Sequence, residues 1–119
     1  MQMWVNPSCS KCARALDTLE SAGVGVEQRR YLDEPPTWAE LDEVLRRLNI
    51  EPWDVARLAE PVAVELGLAD WPRDRARWIG VLVEHPVLLQ RPILLLDDGT
   101  AVLGRTDAAL RDAVERSGR

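Results

Sequence analysis

The sequence contains few residues of several types, and each shortage excludes a kind of site or a class of function. Its 119 residues contain two cysteines, one histidine and one lysine, and no phenylalanine. A closed zinc site needs four ligands, so Cys9, Cys12 and His85 cannot complete one, and no metal is expected. The net charge of −5 disfavours general binding to nucleic acid, which needs a basic face.

Long uninterrupted hydrophobic runs are also lacking. The apolar region 79–96 is broken by Glu84, Arg91 and Pro92, so it cannot cross a bilayer. The stretch Met1–Val5 is too short for a secretory signal and has no basic leader. We therefore expect a cytoplasmic protein that does not contact membranes, folded as a single domain over residues 1–119.

Both cysteines lie in one stretch, Asn6–Arg14, between an apolar run and a helical pattern. A turn at the start of a helix places free backbone N–H groups near Cys9, which favours the thiolate, and Lys11 adds a nearby positive charge. The pattern predicts that Cys9 is a redox-active nucleophile. Cys12, one turn into the helix, is either a resolving thiol or a small buried apolar residue, and the sequence leaves both interpretations open.

The order of predicted elements is strand–helix–strand, several helices, and then strand–strand–helix. This order predicts an α/β, thioredoxin-like fold with a mixed four-stranded sheet and a helical insert at about 37–85. The predicted strands cover 1–5, 27–31, 92–97 and 101–103, and the predicted helices begin near Ala13, at the Thr37 capping box, at Pro52 (to Leu58), at Val62, at Asp74 and at Thr106.

Five segments resemble the arsenate reductases of the glutaredoxin-coupled, thioredoxin-fold type. They follow the order of that family over nearly the whole chain, and the pairing of N-P-x-C with H-P-(x)4-R-P-I is the most specific part. The segments are Asn6–Cys9, Tyr31–Thr37, Glu65–Ala69, His85–Ile93 and Leu103–Arg105.

The resemblance implies a site and a reaction. Cys9 would attack the arsenic of arsenate, Arg57, Arg91 and Arg105 would bind the oxyanion, and Pro92 would be a cis proline. No bound cofactor is implied, because an external thiol, glutathione with glutaredoxin, supplies the electrons. The expected protein is a monomer.

The chain departs from the family pattern at three positions. Val5 stands where many members have histidine, and Thr106 stands where members usually have proline after the third arginine. Cys12 stands where single-cysteine reductases often have serine. If Cys12 resolves a Cys9 adduct, the product is an internal disulfide, and thioredoxin could replace glutaredoxin as the electron donor.

Two alternatives remain open from the sequence. The C-x-x-C spacing also occurs in the Spx-type transcription regulators, which share the fold and bind the RNA polymerase α subunit. The second alternative is a purely structural role for the arginines: Arg57 could form a surface ion pair with Asp54 or Glu60, and Arg105 could pair with Asp107. A structural role is harder to assign to Arg91, because a charge in an apolar run needs a partner.

Overall fold

The computed structural model describes residues 1–117, which form two compact units. One contains Met1–Glu34 and the chain from Arg91 onward, and the other is Pro35–Gln90. In chain order the elements are β1 (Gln2–Val5), α1 (Ser10–Ser21), β2 (Glu27–Arg30), α2 (Trp38–Leu48), α3 (Pro61–Glu65), α4 (Arg75–Glu84), β3 (Ile93–Leu95), β4 (Ala101–Leu103) and α5 (Asp107–Ser117), with 3-10 turns at Pro52–Asp54, Leu68–Asp70 and Pro86–Leu88.

The first unit is built on a mixed four-stranded sheet in the order β2-β1-β3-β4. β1 and β2 are parallel, whereas β3 is antiparallel to both β1 and β4. This confirms the predicted fold class and the predicted mixed sheet.

The core of the first unit lies between one face of this sheet and the helices α1 and α5. Met3, Leu94 and Val102 form a row across three strands, because the register pairs Met3 with Leu94 and Leu94 with Val102. Apolar side chains repeat along α1 and α5 at helical spacing and cover this row. The buried residues that complete the core are Val5, Cys12, Ala15, Leu19, Leu96, Leu110 and Ala113.

The second unit, Pro35–Gln90, contains the helices α2, α3 and α4. The capping box of α2 forms as predicted: Glu40 N–H donates to Thr37 Oγ1, and Thr37 N–H donates to Glu40 Oε1. Asp74 caps α4 by accepting from the N–H of Arg77. Apolar side chains of α2 and α4 are buried within the unit, among them Leu41, Leu45, Trp78, Ile79 and Leu82. No helix of residues 1–117 is long and apolar enough to cross a membrane.

Three predicted boundaries were wrong. Helix α1 begins at Ser10, not near Ala13, and β3 is shorter than the predicted 92–97. The helix predicted from Pro52 to Leu58 is a single 3-10 turn.

The reason for the short turn at Pro52 is a competing set of hydrogen bonds. The N–H of Arg57 donates to the carbonyl of Leu88, and the N–H of Gln90 donates to the carbonyl of Val55, at 2.7 and 2.8 Å. These bonds pair the segment with a distant part of the chain, so its backbone groups are not available to continue a helix.

Candidate active site

Four chain segments converge at one edge of the sheet. Since β1 and β2 are parallel and β3 and β4 alternate in direction, the carboxyl ends of β1, β2 and β4 share an edge with the amino end of β3. The loop that carries Cys9 follows β1, and Tyr31 follows β2 directly. Arg91 lies just before β3, and Arg105 lies just after β4. This edge is the candidate active site.

Asn6 organises the loop that presents Cys9. Its carbonyl accepts the Cys9 N–H at 3.0 Å, and its side-chain Oδ1 accepts the Ser8 N–H at 3.0 Å. Its own N–H points at the Cys12 sulfur, 3.5 Å away. The loop is therefore closed by its own hydrogen bonds, and Cys9 stands at the N-cap position of α1 in extended conformation.

Cys9 is partly exposed and is activated by its surroundings. Burial raises the pKa of its thiol, but hydrogen bonds from the Arg91 side chain, from the backbone N–H groups of Cys12 and Lys11, and from the Cys12 thiol outweigh that effect. The net result lowers the pKa of Cys9 to about 7. A large fraction of Cys9 is therefore thiolate near neutral pH, and Lys11 contributes to this through its backbone N–H.

Cys12 has the opposite character. It is 4% exposed and belongs to the core between the sheet and α1. Burial raises its pKa; the N–H of Asn6 partly opposes this, and the negative charge on Cys9 adds to it, for a net pKa of about 11. The two thiols are not joined by a disulfide but lie within hydrogen-bonding reach of each other.

Arg91 supplies the positive charge of the site. Burial lowers its pKa, but the hydrogen bond to Cys9 and charge interactions with Tyr31 and the two thiols raise it more, so the guanidinium stays protonated. Its Nε and Nη1 atoms are buried and find no acceptor among residues 1–117. Because unpaired buried donors are costly, a tetrahedral oxyanion is a chemically suitable acceptor for them.

Arg105 lies on the side of the site where α1 begins. Together with Lys11 and Arg14 it lines a small pocket of about 70 Å³. The preceding residue, Gly104, ties this segment to the other strand end, because its N–H donates to the carbonyl of Pro92 at 2.9 Å. The Arg91–Pro92 peptide bond is cis, as the resemblance implied.

Arg57 belongs to the second unit, where its Nε donates to Glu60 Oε1 at 3.0 Å. One of the two structural interpretations of this residue, an ion pair with Glu60, is therefore observed. Its part in an oxyanion clamp stays a prediction. Asp107, a possible partner of Arg105, contacts Arg14 at 2.7 Å.

Tyr31 is a residue of the site that the sequence did not single out. It is 1% exposed and interacts electrostatically with Arg91. The sequence showed it as the end of a predicted strand and the start of one family-like segment, with no role assigned, and the register of β1 and β2 is what places it beside the Cys9 loop. Within residues 1–117, no group of three or more His, Cys, Asp and Glu side chains is arranged to hold a metal ion.

The fold and the loop define a class of protein: a thioredoxin-like α/β domain with an activated cysteine at the start of its first helix. A sequence profile of the ArsC family matches residues 4–113. The chain belongs to the ArsC family.

Similar proteins cover nearly the whole chain. An uncharacterized protein of Streptomyces viridochromogenes, from the glnII region, is 51% identical over 98% of this chain and 100% of its own length. An arsenate reductase of Neisseria meningitidis is 35% identical over 88% of this chain and 90% of its own. The structure of an arsenate reductase from Vibrio cholerae superposes with a TM-score of 0.83 at 29% identity, covering 97% of both chains.

Proposed function

We propose that this protein is a thiol-dependent arsenate reductase in which Cys9 is the nucleophile. The observation that carries the proposal is the pairing of a thiol whose pKa is lowered to about 7 with Arg91, whose buried Nε and Nη1 have no acceptor in residues 1–117. Membership of the ArsC family and the relatives named arsenate reductases support the same class of oxidoreductase.

The first chemical step forms a sulfur–arsenic bond. The Cys9 thiolate attacks the As(V) centre, and one arsenate oxygen leaves as water after protonation. Arsenate and thiolate repel each other, so the step needs positive charge that does not titrate away. Arg91 meets that requirement, since guanidinium remains charged and presents a planar fork of donors. Arg105, in the same unit, is the second arginine of the proposed clamp.

The second step reduces arsenic. A second thiolate attacks the Cys9 sulfur, a disulfide forms, and the electron pair of the sulfur–arsenic bond stays on arsenic, which leaves as arsenite. Two thiols thus lose two electrons in total, and As(V) becomes As(III).

We propose Cys12 as that second thiol. It lies within hydrogen-bonding reach of the Cys9 sulfur. Burial and the neighbouring Cys9 charge keep its pKa high in the resting protein. Once Cys9 is bonded to arsenic its thiolate charge is gone, so one cause of the raised pKa disappears and deprotonation of Cys12 becomes easier. An external dithiol protein such as thioredoxin, or glutathione with glutaredoxin, then reduces the Cys9–Cys12 disulfide.

Arsenate-dependent NADPH oxidation tests this proposal with two recycling systems, glutathione with glutaredoxin and thioredoxin with its reductase. Wild type, Cys9→Ser and Cys12→Ser are compared. Cys9→Ser is expected to be inactive in both systems. Cys12→Ser is expected to lose turnover with thioredoxin. Turnover by Cys9→Ser contradicts the assignment of Cys9 as the nucleophile. Full turnover by Cys12→Ser contradicts the assignment of Cys12 as the resolving thiol. No turnover by wild type in either system contradicts the proposal that the protein is an arsenate reductase.

A further inference from the structure

We propose that Cys9 and Cys12 together form a binding site for trivalent arsenic, in which both sulfurs bond one arsenic atom supplied as arsenous acid. The site belongs to the reduced protein, and its formation needs no arsenate turnover. Only the consequence for catalysis, inhibition by the product arsenite, rests on the proposed function.

The start of α1 places the two sulfurs on the same side of the helix. Cys9 is the N-cap residue and Cys12 is the third helical residue, the same two positions that Thr37 and Glu40 occupy in the capping box of α2. Side chains at these positions lie together at the helix start, since in a capping box each reaches the backbone of the other residue. The two thiols accordingly lie within hydrogen-bonding reach of each other.

Asn6 holds both cysteines from the loop side. Its carbonyl accepts the N–H of Cys9 at 3.0 Å, and its own N–H points at the Cys12 sulfur, 3.5 Å away. Cys12 is buried in the core of the first unit, and Cys9 packs against the same core. Because the pair is already ordered, forming a second sulfur–arsenic bond costs little further conformational entropy, and binding by both thiols is favoured over binding by one.

Two thiols are sufficient ligands for trivalent arsenic, although not for a closed zinc site. Arsenous acid is As(OH)3, and each protonated thiol replaces one hydroxyl, which leaves as water with the thiol proton. The products are a Cys9–S–As(OH)–S–Cys12 ring and two waters; arsenic stays trivalent and no electrons are exchanged. The remaining hydroxyl completes the three bonds of arsenic, whereas zinc needs four protein ligands.

The space beside Cys12 suits a neutral ligand. A cavity of about 190 Å³ lies there, lined by uncharged residues that include Val5, Pro7 and Leu16. Arsenous acid is uncharged at neutral pH, so its binding does not require a guanidinium, whereas the arsenate anion does. The proposed site for As(III) therefore depends on the second thiol, and the proposed site for As(V) depends on Arg91.

The redox state of the cysteine pair controls the site. Both cysteines are free thiols in the structure, which is the state able to bond arsenic. In the proposed reaction arsenite is released as the disulfide forms, and a disulfide has no thiol to bind it again. Once an external thiol has reduced the pair, arsenite binds and blocks Cys9, so arsenite is expected to inhibit turnover by competing with arsenate.

Equilibrium dialysis of the protein against sodium arsenite tests the inference. Reduced wild type is expected to bind one arsenic per chain, and protein carrying the Cys9–Cys12 disulfide none. Cys12→Ser and Cys9→Ser should each weaken binding at least about 100-fold, because a chelate is replaced by a single bond. Arsenite affinity equal to wild type in either variant overturns the proposal. Unchanged Cys9 alkylation in Cys12→Ser verifies that its loop is intact, and Cys9→Ser changes only a partly exposed residue.

A matched control keeps two thiols in the chain but separates them. In Cys12→Ser combined with Glu20→Cys, the second thiol stands at an exposed position of α1, eleven residues from Cys9. At 1.5 Å per residue this is about 16 Å along the helix, too far for both sulfurs to bond one arsenic. This variant is expected to bind arsenite as weakly as Cys12→Ser alone. Binding as tight as in wild type contradicts the need for adjacent thiols.

Arg91→Met separates this site from the arsenate site. The variant is expected to lose arsenite affinity far less than Cys12→Ser does, because the ligand is neutral. A loss as large as in Cys12→Ser contradicts a site formed by the two thiols. Arsenite binding by a wild type that does not turn over arsenate would refute the reductase and support this inference, whereas turnover without one-to-one arsenite binding would do the reverse.

Discussion

At the scale of single residues, the two cysteines show how position on a helix sets reactivity. Cys9 at the N-cap has neighbours that stabilise negative charge, whereas Cys12, three residues later, faces the core. The same functional group thus has a pKa of about 7 at one position and about 11 at the other. Since both residues are cysteines, their different exposure and hydrogen bonds are the reason that Cys9, and not Cys12, is predicted to be the nucleophile.

Alkylation should distinguish the two thiols. The rate at Cys9 is expected to rise with pH through about 7 and then level off, because the thiolate is the reactive form and predominates above its pKa. Cys12 is buried and protonated at neutral pH, so it should stay unmodified until much higher pH. Peptide mapping after brief iodoacetamide treatment across the pH range measures both. Equal modification of the two residues at neutral pH contradicts this assignment.

Arg91 and Arg73 provide a matched pair of arginines. Arg91→Ala is expected to weaken arsenate binding at least about tenfold, since charge-assisted hydrogen bonds to the oxyanion are lost. Arg73→Ala should change it little, because that guanidinium lies over the ring of Trp53, 5.2 Å from its centre. The arsenate concentration that protects Cys9 from alkylation gives the affinity. Equal losses of arsenate affinity in the two variants would contradict an anion-binding role for Arg91.

The residues of the site differ in how readily they can be predicted from the sequence. Cys9 and Arg91 could be predicted because each stands out locally, a thiol at a helix start and a charge in an apolar run. Tyr31 could not, because an aromatic residue at the end of a strand is ordinary. Its importance depends on strand register, which is a long-range property.

At the scale of elements, local signals predicted most helix starts. The Thr37 capping box and the Asp74 cap use hydrogen bonds over three residues, so sequence alone identifies them. The region after Pro52 escaped prediction because its backbone pairs with residues about thirty positions later, as the bridge between Ala56 and Leu89 shows. Such pairing leaves no local pattern.

The capping box of α2 is expected to contribute measurably to the free energy of unfolding. Thr37→Ala should lower the free energy of unfolding by about 1 kcal/mol, because the N–H of Glu40 loses its acceptor. Thr37→Ser keeps the hydroxyl oxygen and should be close to wild type. Urea unfolding followed by circular dichroism measures both, and similar losses in the two variants contradict the capping role.

Two glycines respond oppositely to the same substitution. A Cβ on Gly104 meets side-chain atoms of Leu94 and Pro92 at 3.2 Å and of Leu110 at 3.3 Å, so Gly104→Ala is expected to destabilise by about 1 kcal/mol. A Cβ on Gly80, inside α4, meets nothing within 4 Å. Gly80→Ala should stabilise by roughly 0.5–1 kcal/mol, because alanine favours the helix. Thermal unfolding measures the sign of the stability change in each variant. A stabilising effect of Gly104→Ala would contradict the tight packing of Gly104 against Pro92.

At the scale of the whole molecule, an acidic chain carries a site proposed to bind an anion. The net charge is −5, yet the edge of the sheet that holds Cys9 also holds Arg91 and Arg105. Salt screens charges beyond about 8 Å at physiological ionic strength, so distant carboxylates have little effect there. Local guanidinium and backbone N–H groups therefore decide the electrostatics of the site.

The redox stoichiometry of the molecule follows from its two free thiols. Reduced protein mixed with arsenate and no external thiol should release one arsenite per chain and lose both thiols, since reduction of As(V) to As(III) takes two electrons, which Cys9 and Cys12 supply in the proposed mechanism. Thiol titration and arsenite assay after a single turnover measure the two quantities. Cys12→Ser should hold arsenic on Cys9 and release arsenite only when glutathione is added. Equal arsenite release by Cys12→Ser without glutathione would show that the second electron-donating thiol is not Cys12.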